Sequence, residues 1–60
     1  MKIGDLVTFG NQGNQVGVIV EDHTMMCSMG VDEPYRMGAM MVFAGGRVER
    51  VVYANLRLAA

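Results

Sequence analysis

An all-β fold of short strands is what this 60-residue chain predicts, and three observations carry the prediction. β-branched and aromatic residues gather in short runs separated by glycine and small polar residues, as strands and turns require. No stretch keeps a 3.6-residue apolar period, so helices are nearly excluded. Gly45-Gly46 stands between two apolar runs, and paired glycines supply the positive φ angles of a two-residue hairpin turn.

Taken in order, "DLVTF" (5–9) opens as a strand. The doubled triplet "GNQGNQ" (10–15) is too short for a repeat unit and reads as a surface turn. "VGVIVE" (16–21) is the second strand. "TMMCSMGV" (24–31) alternates weakly, with Met25, Cys27, Met29 and Val31 expected inward and Met26 and Ser28 outward. "DEPYRMG" (32–38) holds the one proline and reads as a loop. "AMMVFA" (39–44) and "RVERVVY" (47–53) flank the glycines. "ANL" (54–56) suits one 3₁₀ turn before a short last strand, "RLAA".

A two-residue loop at Gly45-Gly46 pairs Ala44 with Arg47, Phe43 with Val48, Val42 with Glu49, Met41 with Arg50, Met40 with Val51 and Ala39 with Val52. Alternate pairs face opposite ways. One face carries Phe43, Val48, Met41, Ala39 and Val52, interrupted by Arg50. The other carries Met40, Val42, Val51 and Ala44, with Arg47 and Glu49 near the turn. The first face holds the aromatic residue and is expected to be the core. The second, still mostly apolar, is then expected to meet another chain.

Composition sets further bounds. A chain of this length buries only about 60% of its unfolded surface, and small domains therefore lean on disulfides, metals or association. The single cysteine, Cys27, forms no intrachain disulfide. The 52% hydrophobic and 18% charged content excludes intrinsic disorder. Five Lys+Arg against six Asp+Glu leave a net charge of −1, without the basic excess of a phosphate-backbone binder. "MKIGDLVTFG" lacks a signal peptide's apolar run, and no run approaches a membrane span. An unpaired cysteine and no Asn-x-Ser/Thr site fit a reducing, cytoplasmic setting.

The opening "GDLVTFGNQGNQVGVIVED" is similar to the KOW-type pattern of Gly-Asp, a hydrophobic strand, a Gly turn and Gly-Val-Ile-Val. The tail "GGRVERVVYANLRL" resembles the ending of short SH3-like proteins common in bacteriophage genomes. Together these resemblances imply a single SH3-like five-stranded small barrel over 1–60, with the Gly-Gly hairpin between its third and fourth core strands. They also imply a phage-type protein of host cytoplasm or virion. The type II dihydrofolate reductases share that architecture and place a Val-Gln-Ile-Tyr stretch on their pore strand. Here Val48, Glu49, Arg50 and Val51 stand in its place, so that activity does not carry over.

Four constellations bear on chemistry. His23, Met25, Met26, Cys27 and Met29 offer imidazole, thiolate and thioether donors suited to Cu(I). Same-face neighbours on a strand lie about 6.5 Å apart, too far to share one ion, so packing is the favoured reading and no metal is expected. "GNQGNQVG" lacks the Lys-Ser/Thr of a phosphate loop and leads into a strand. One histidine and no nucleophile–base set imply neither an enzyme nor a cofactor. The KOW-like opening implies a nucleic-acid or transcription/translation-machinery binder as the alternative function. Lys2, Arg36, Arg47, Arg50 and Arg57 would provide its charge, and Tyr35 and Tyr53 its stacking.

The favoured expectation is a non-enzymatic binding or assembly module that forms a homo-oligomer or joins a larger complex, without membrane or small-molecule ligand. Its partner face is expected at Met26, Met37, Met40, Val42 and Val51, because adaptable methionines suit a partner-facing surface.

Overall fold

The computed structural model describes residues 1–30 and 32–59. Its strands are β1 (Leu6–Phe9), β2 (Gln15–Cys27), β3 (Tyr35–Ala44), β4 (Arg47–Val52) and β5 (Arg57–Leu58). Single 3₁₀ turns lie at Asn11–Gly13 and Tyr53–Asn55. All neighbouring strands are antiparallel and form one sheet in the order β4-β3-β2-β1-β5. The expected all-β class holds. The sheet is not closed: β4 and β5 are its edges, and no pairing joins them among the described residues. No helix among these residues is long and apolar enough to cross a membrane.

The Gly45-Gly46 hairpin forms in the expected register, from Ala44↔Arg47 through to Ala39↔Val52. Both glycines have positive φ, 62° and 83°, the conformation a type I′ turn demands and other residues resist. The 3₁₀ turn after β4 begins at Tyr53, one residue before "ANL". The expected strand 24–31 and loop 32–38 are corrected. The second strand runs without a break from Gln15 to Cys27, through Asp22 and His23, and β3 already begins at Tyr35. Cross-strand pairing of Thr24–Cys27 with Tyr35–Gly38 supplies the ladder that outweighs the weak local propensity of "YRMG". Val31 and Ala60, at the ends of two expected strands, lie outside the described residues.

Between Ile19 and Glu21 the β2–β3 register shifts by one residue, so Val20 is the extra residue of a β-bulge. On one side of the bulge β2 is flanked by β1 and β3. Beyond it β1 no longer pairs β2, β4 follows β3 only as far as Ala39, and Thr24–Cys27 with Tyr35–Gly38 continue as a two-stranded ribbon. Six strand steps from Glu21 to Cys27 span roughly 20 Å, and the molecule is correspondingly long, 39 × 22 × 17 Å.

The core lies on one face of the body: Val7 and Phe9 from β1, Ile19 from β2, Met40, Val42 and Ala44 from β3, Val51 from β4, and Leu56. Residues three strands apart share this cluster because the sheet curls over it. Phe9 and Gly10 come to face Glu49–Val52 and Asn55 across an open cleft. Gly17 permits the curl: a Cβ there would lie 2.5 Å from Val42 Cγ1 and 2.7 Å from the Phe43 carbonyl oxygen.

The expected partition of the hairpin is therefore reversed. Met40 and Val42 are 0% exposed and Val51 is buried, whereas Phe43, Val48 and Val52 are about half exposed. Charge decides this, not aromaticity. With Phe43 inside, Arg50 would be buried without a partner at a cost of several kcal/mol or more. With Met40 inside, the charges on the core face are Arg47 and Glu49 at the open end, paired at 2.9 Å. Ala39, on the outer face beside His23 and Val52, is buried nonetheless because its side chain is short.

Candidate protein-binding face

Register alone builds the outer face. Along β3 it carries Tyr35, Met37, Ala39, Met41 and Phe43; across β4 lie Val48, Arg50 and Val52. Along β2, Val16 and Val18 precede the bulge and Glu21, His23, Met25 and Cys27 follow it, with Leu6 of β1 beside Val18. Val16, Val18, Phe43, Val48 and Val52 are all exposed there, and Met25 and Met37 extend the apolar surface along the ribbon. Among the described residues no second sheet or α-helix covers them, since one thin sheet has two faces and this one buries only the inner. Scattered exposed apolar residues are ordinary; here they gather on one face, crossed by the Glu21 and Arg50 row.

Charge on this face is sparse and ordered. Glu21 pairs with Met41, and Met41 pairs with Arg50, so one row across three strands reads Glu21, Met41, Arg50. Two strand spacings separate the charges by about 10 Å. Glu21 Oε2 lies 3.0 Å from His23 Nε2, both exposed.

The expected partner residues divide. Met26 and Met37 are exposed, but they lie on opposite faces of the ribbon, Met37 outward and Met26 on the core-facing side. Met40, Val42 and Val51 are buried in the core. The inward placement of Met25, Cys27 and Met29 is corrected too. Met25 is exposed on the outer face, Cys27 is half-buried opposite Tyr35, and Met29 is 93% exposed. A two-stranded ribbon has no interior. Phe43 suggests a core face, yet it lies outward with Val48 and Val52. Arg50, sitting among them, was the signal that could have found them.

The expected nucleic-acid residues do not form one basic surface. On the inner side of the ribbon, Arg36 Nη1 lies 3.4 Å from Asp22 Oδ2 and donates to Thr24 Oγ1 at 3.0 Å. Its guanidinium carbon sits 5.8 Å from the centre of the Tyr53 ring, within cation–π range. This cluster ties the ribbon to the 3₁₀ turn of the body. The Asp22 carboxylate also accepts the Thr24 hydroxyl and amide hydrogens. Those bonds, chiefly the hydroxyl, with Arg36 and His23 nearby, hold its carboxyl below the ordinary aspartate value against a small opposing effect of burial. Arg47 is engaged by Glu49, and Arg57 donates to the Ala54 and Leu56 carbonyls. Among the described residues the Lys2 and Arg50 side chains make no ion pair, and they stand on different elements. Tyr35 is exposed at the start of β3, remote in sequence from both.

No group of three or more His, Cys, Asp or Glu positioned for a metal occurs among the described residues. Comparison with protein-family models finds no match, and comparisons with curated proteins and with solved structures find none either.

Proposed function

We propose that this chain is a non-enzymatic assembly module of SH3-like small-barrel type that associates with further copies of itself through its outer sheet face. The strand order, the Gly-Gly hairpin and the 3₁₀ turn between the last two strands support the architectural part of this reading. The observation that carries the functional part is the exposed row Val18, Phe43, Val48, with Val52 beyond Arg50, on a sheet whose other face is already filled. Two such sheets stacked face to face bury both outer faces at the usual ~10 Å separation.

The test is solution mass with a paired variant. Wild-type protein at high concentration is expected to scatter as a multiple of 6.5 kDa. Phe43→Lys with Val48→Lys is expected to scatter as a monomer with an unchanged circular dichroism spectrum. A wild-type protein that stays at 6.5 kDa up to millimolar concentration sinks the proposal. Binding of the wild type to RNA or DNA that weakens steeply with salt would favour the nucleic-acid reading in its place.

A further inference from the structure

The row Glu21, Met41, Arg50 gives the outer face a sense of direction. From it we infer that two copies pack with their two-fold axis parallel to β3, each Arg50 meeting Glu21 of the other copy. This inference rests on the self-association proposed above and adds its geometry and the residues that enforce it.

In a two-fold dimer of stacked sheets, the axis lies in the mid-plane between the two faces. If it runs along β3, Met41 sits over Met41 and Phe43 over Phe43 of the second copy. The flanking strands exchange sides, so β4 of one copy lies over β2 of the other. The register then sets Val48 over Val18 and Arg50 over Glu21, twice per dimer by symmetry. If the axis instead runs along the row, each charge stays over its own strand and Glu21 faces Glu21. Like charges opposed across an interface disfavour that arrangement. Only the first orientation matches apolar with apolar and positive with negative.

The area fits a dimer. Val16, Val18, Met25, Met37, Phe43, Val48 and Val52 are 36–66% exposed. A large apolar side chain carries on the order of 100 Å² of apolar surface, so this set, about half exposed, corresponds to roughly 300–500 Å². With the usual ~60% apolar share, the face offers roughly 500–800 Å² per copy, against the ~600–1,000 Å² of standard specific interfaces.

The experiment measures dimerisation by sedimentation equilibrium for wild type, Glu21→Arg, Arg50→Glu, the double variant, and an equimolar mixture of the two single variants. Each single reversal sets like charges opposite each other twice and is expected to raise the dimer Kd at least tenfold. The double variant restores opposite charges and is expected within about threefold of wild type. In the mixture every facing pair is again opposite in sign, so a heterodimer forms although neither variant dimerises alone. That rescue also shows both single variants to be folded. The inference is overturned if the single reversals dimerise like wild type, or if neither the double variant nor the mixture recovers. A monomeric wild type would overturn the assembly reading itself, so the two failures are distinct.

Discussion

The same two strands, β2 and β3, build both the body of this molecule and its projecting ribbon, with opposite results for similar side chains. Met40, in the body, is 0% exposed; Met37, three residues earlier on the same strand, is 50% exposed. Both residues are paired to β2 in the same ladder. What differs is the face, Met37 pointing outward and Met40 into the core, and the third strand. Met40 is also paired with Val51 of β4 and lies over the curl that brings in Val7 and Leu56, whereas β4 ends before Met37. Backbone pairing therefore fixes where a side chain points. Neighbouring strands and sheet curvature decide whether anything covers it.

Replacing the two methionines should break this comparison most visibly. Met40→Lys places an unpaired charge in the core and is expected to unfold the chain, with loss of the cooperative melting transition. Even Met40→Ala should cost about 2–5 kcal/mol, a large share of the stability of so small a domain. Met37→Lys, on the open ribbon, is expected to change urea-unfolding stability by less than about 0.5 kcal/mol. Equal losses at both positions would show that the ribbon is as well covered as the body.

Gly17→Ala comes next. The new methyl would overlap Val42 and the Phe43 carbonyl, and the backbone atom cannot swing aside, so a loss of roughly 1–3 kcal/mol is expected. Thermal unfolding reads it. A neutral result would mean that the sheet relaxes its curl at little cost.

The smallest effect belongs to the ribbon's own tie. Because the Asp22 carboxyl titrates below the ordinary aspartate value, its contribution is complete above that value and is lost as pH falls through the folded one. Below about pH 4, hydrogen exchange at the Thr24 amide should accelerate while the core amides of β3 stay protected. Asp22→Asn should remove that pH dependence. Exchange that accelerates together in ribbon and body would tie both to one cooperative unit.

Much of the fold was legible in the sequence where a local rule left one solution. Gly45-Gly46 admits a tight turn and little else, so the whole β3–β4 register followed from two residues. The division into inner and outer faces was not legible in the same way, because both faces of the hairpin are apolar and periodicity assigns residues to faces without ranking them. Phe43 suggested one answer and Arg50 the other; the desolvation cost of a guanidinium outweighs the gain from burying a phenyl ring. The length of β2 was hidden by "EDH", whose charges look like a strand end but sit exposed in mid-strand. Because both hairpin faces are apolar, three of the residues expected at a partner face, Met40, Val42 and Val51, lie in the core.

The bulge at Val20 has a consequence for how the strand is read. It works like a single inserted letter that shifts a reading frame. Upstream, the even positions Val16 and Val18 look outward; downstream, the outward positions are odd, beginning with Glu21. Were Val20 paired in the regular ladder, with no bulge, Asp22, Thr24 and Met26 would lie on the outer surface, and Asp22 would leave the Arg36 and Tyr53 cluster. One side chain's worth of extra backbone thus determines which acidic residue is available to another molecule and which is kept for the chain itself.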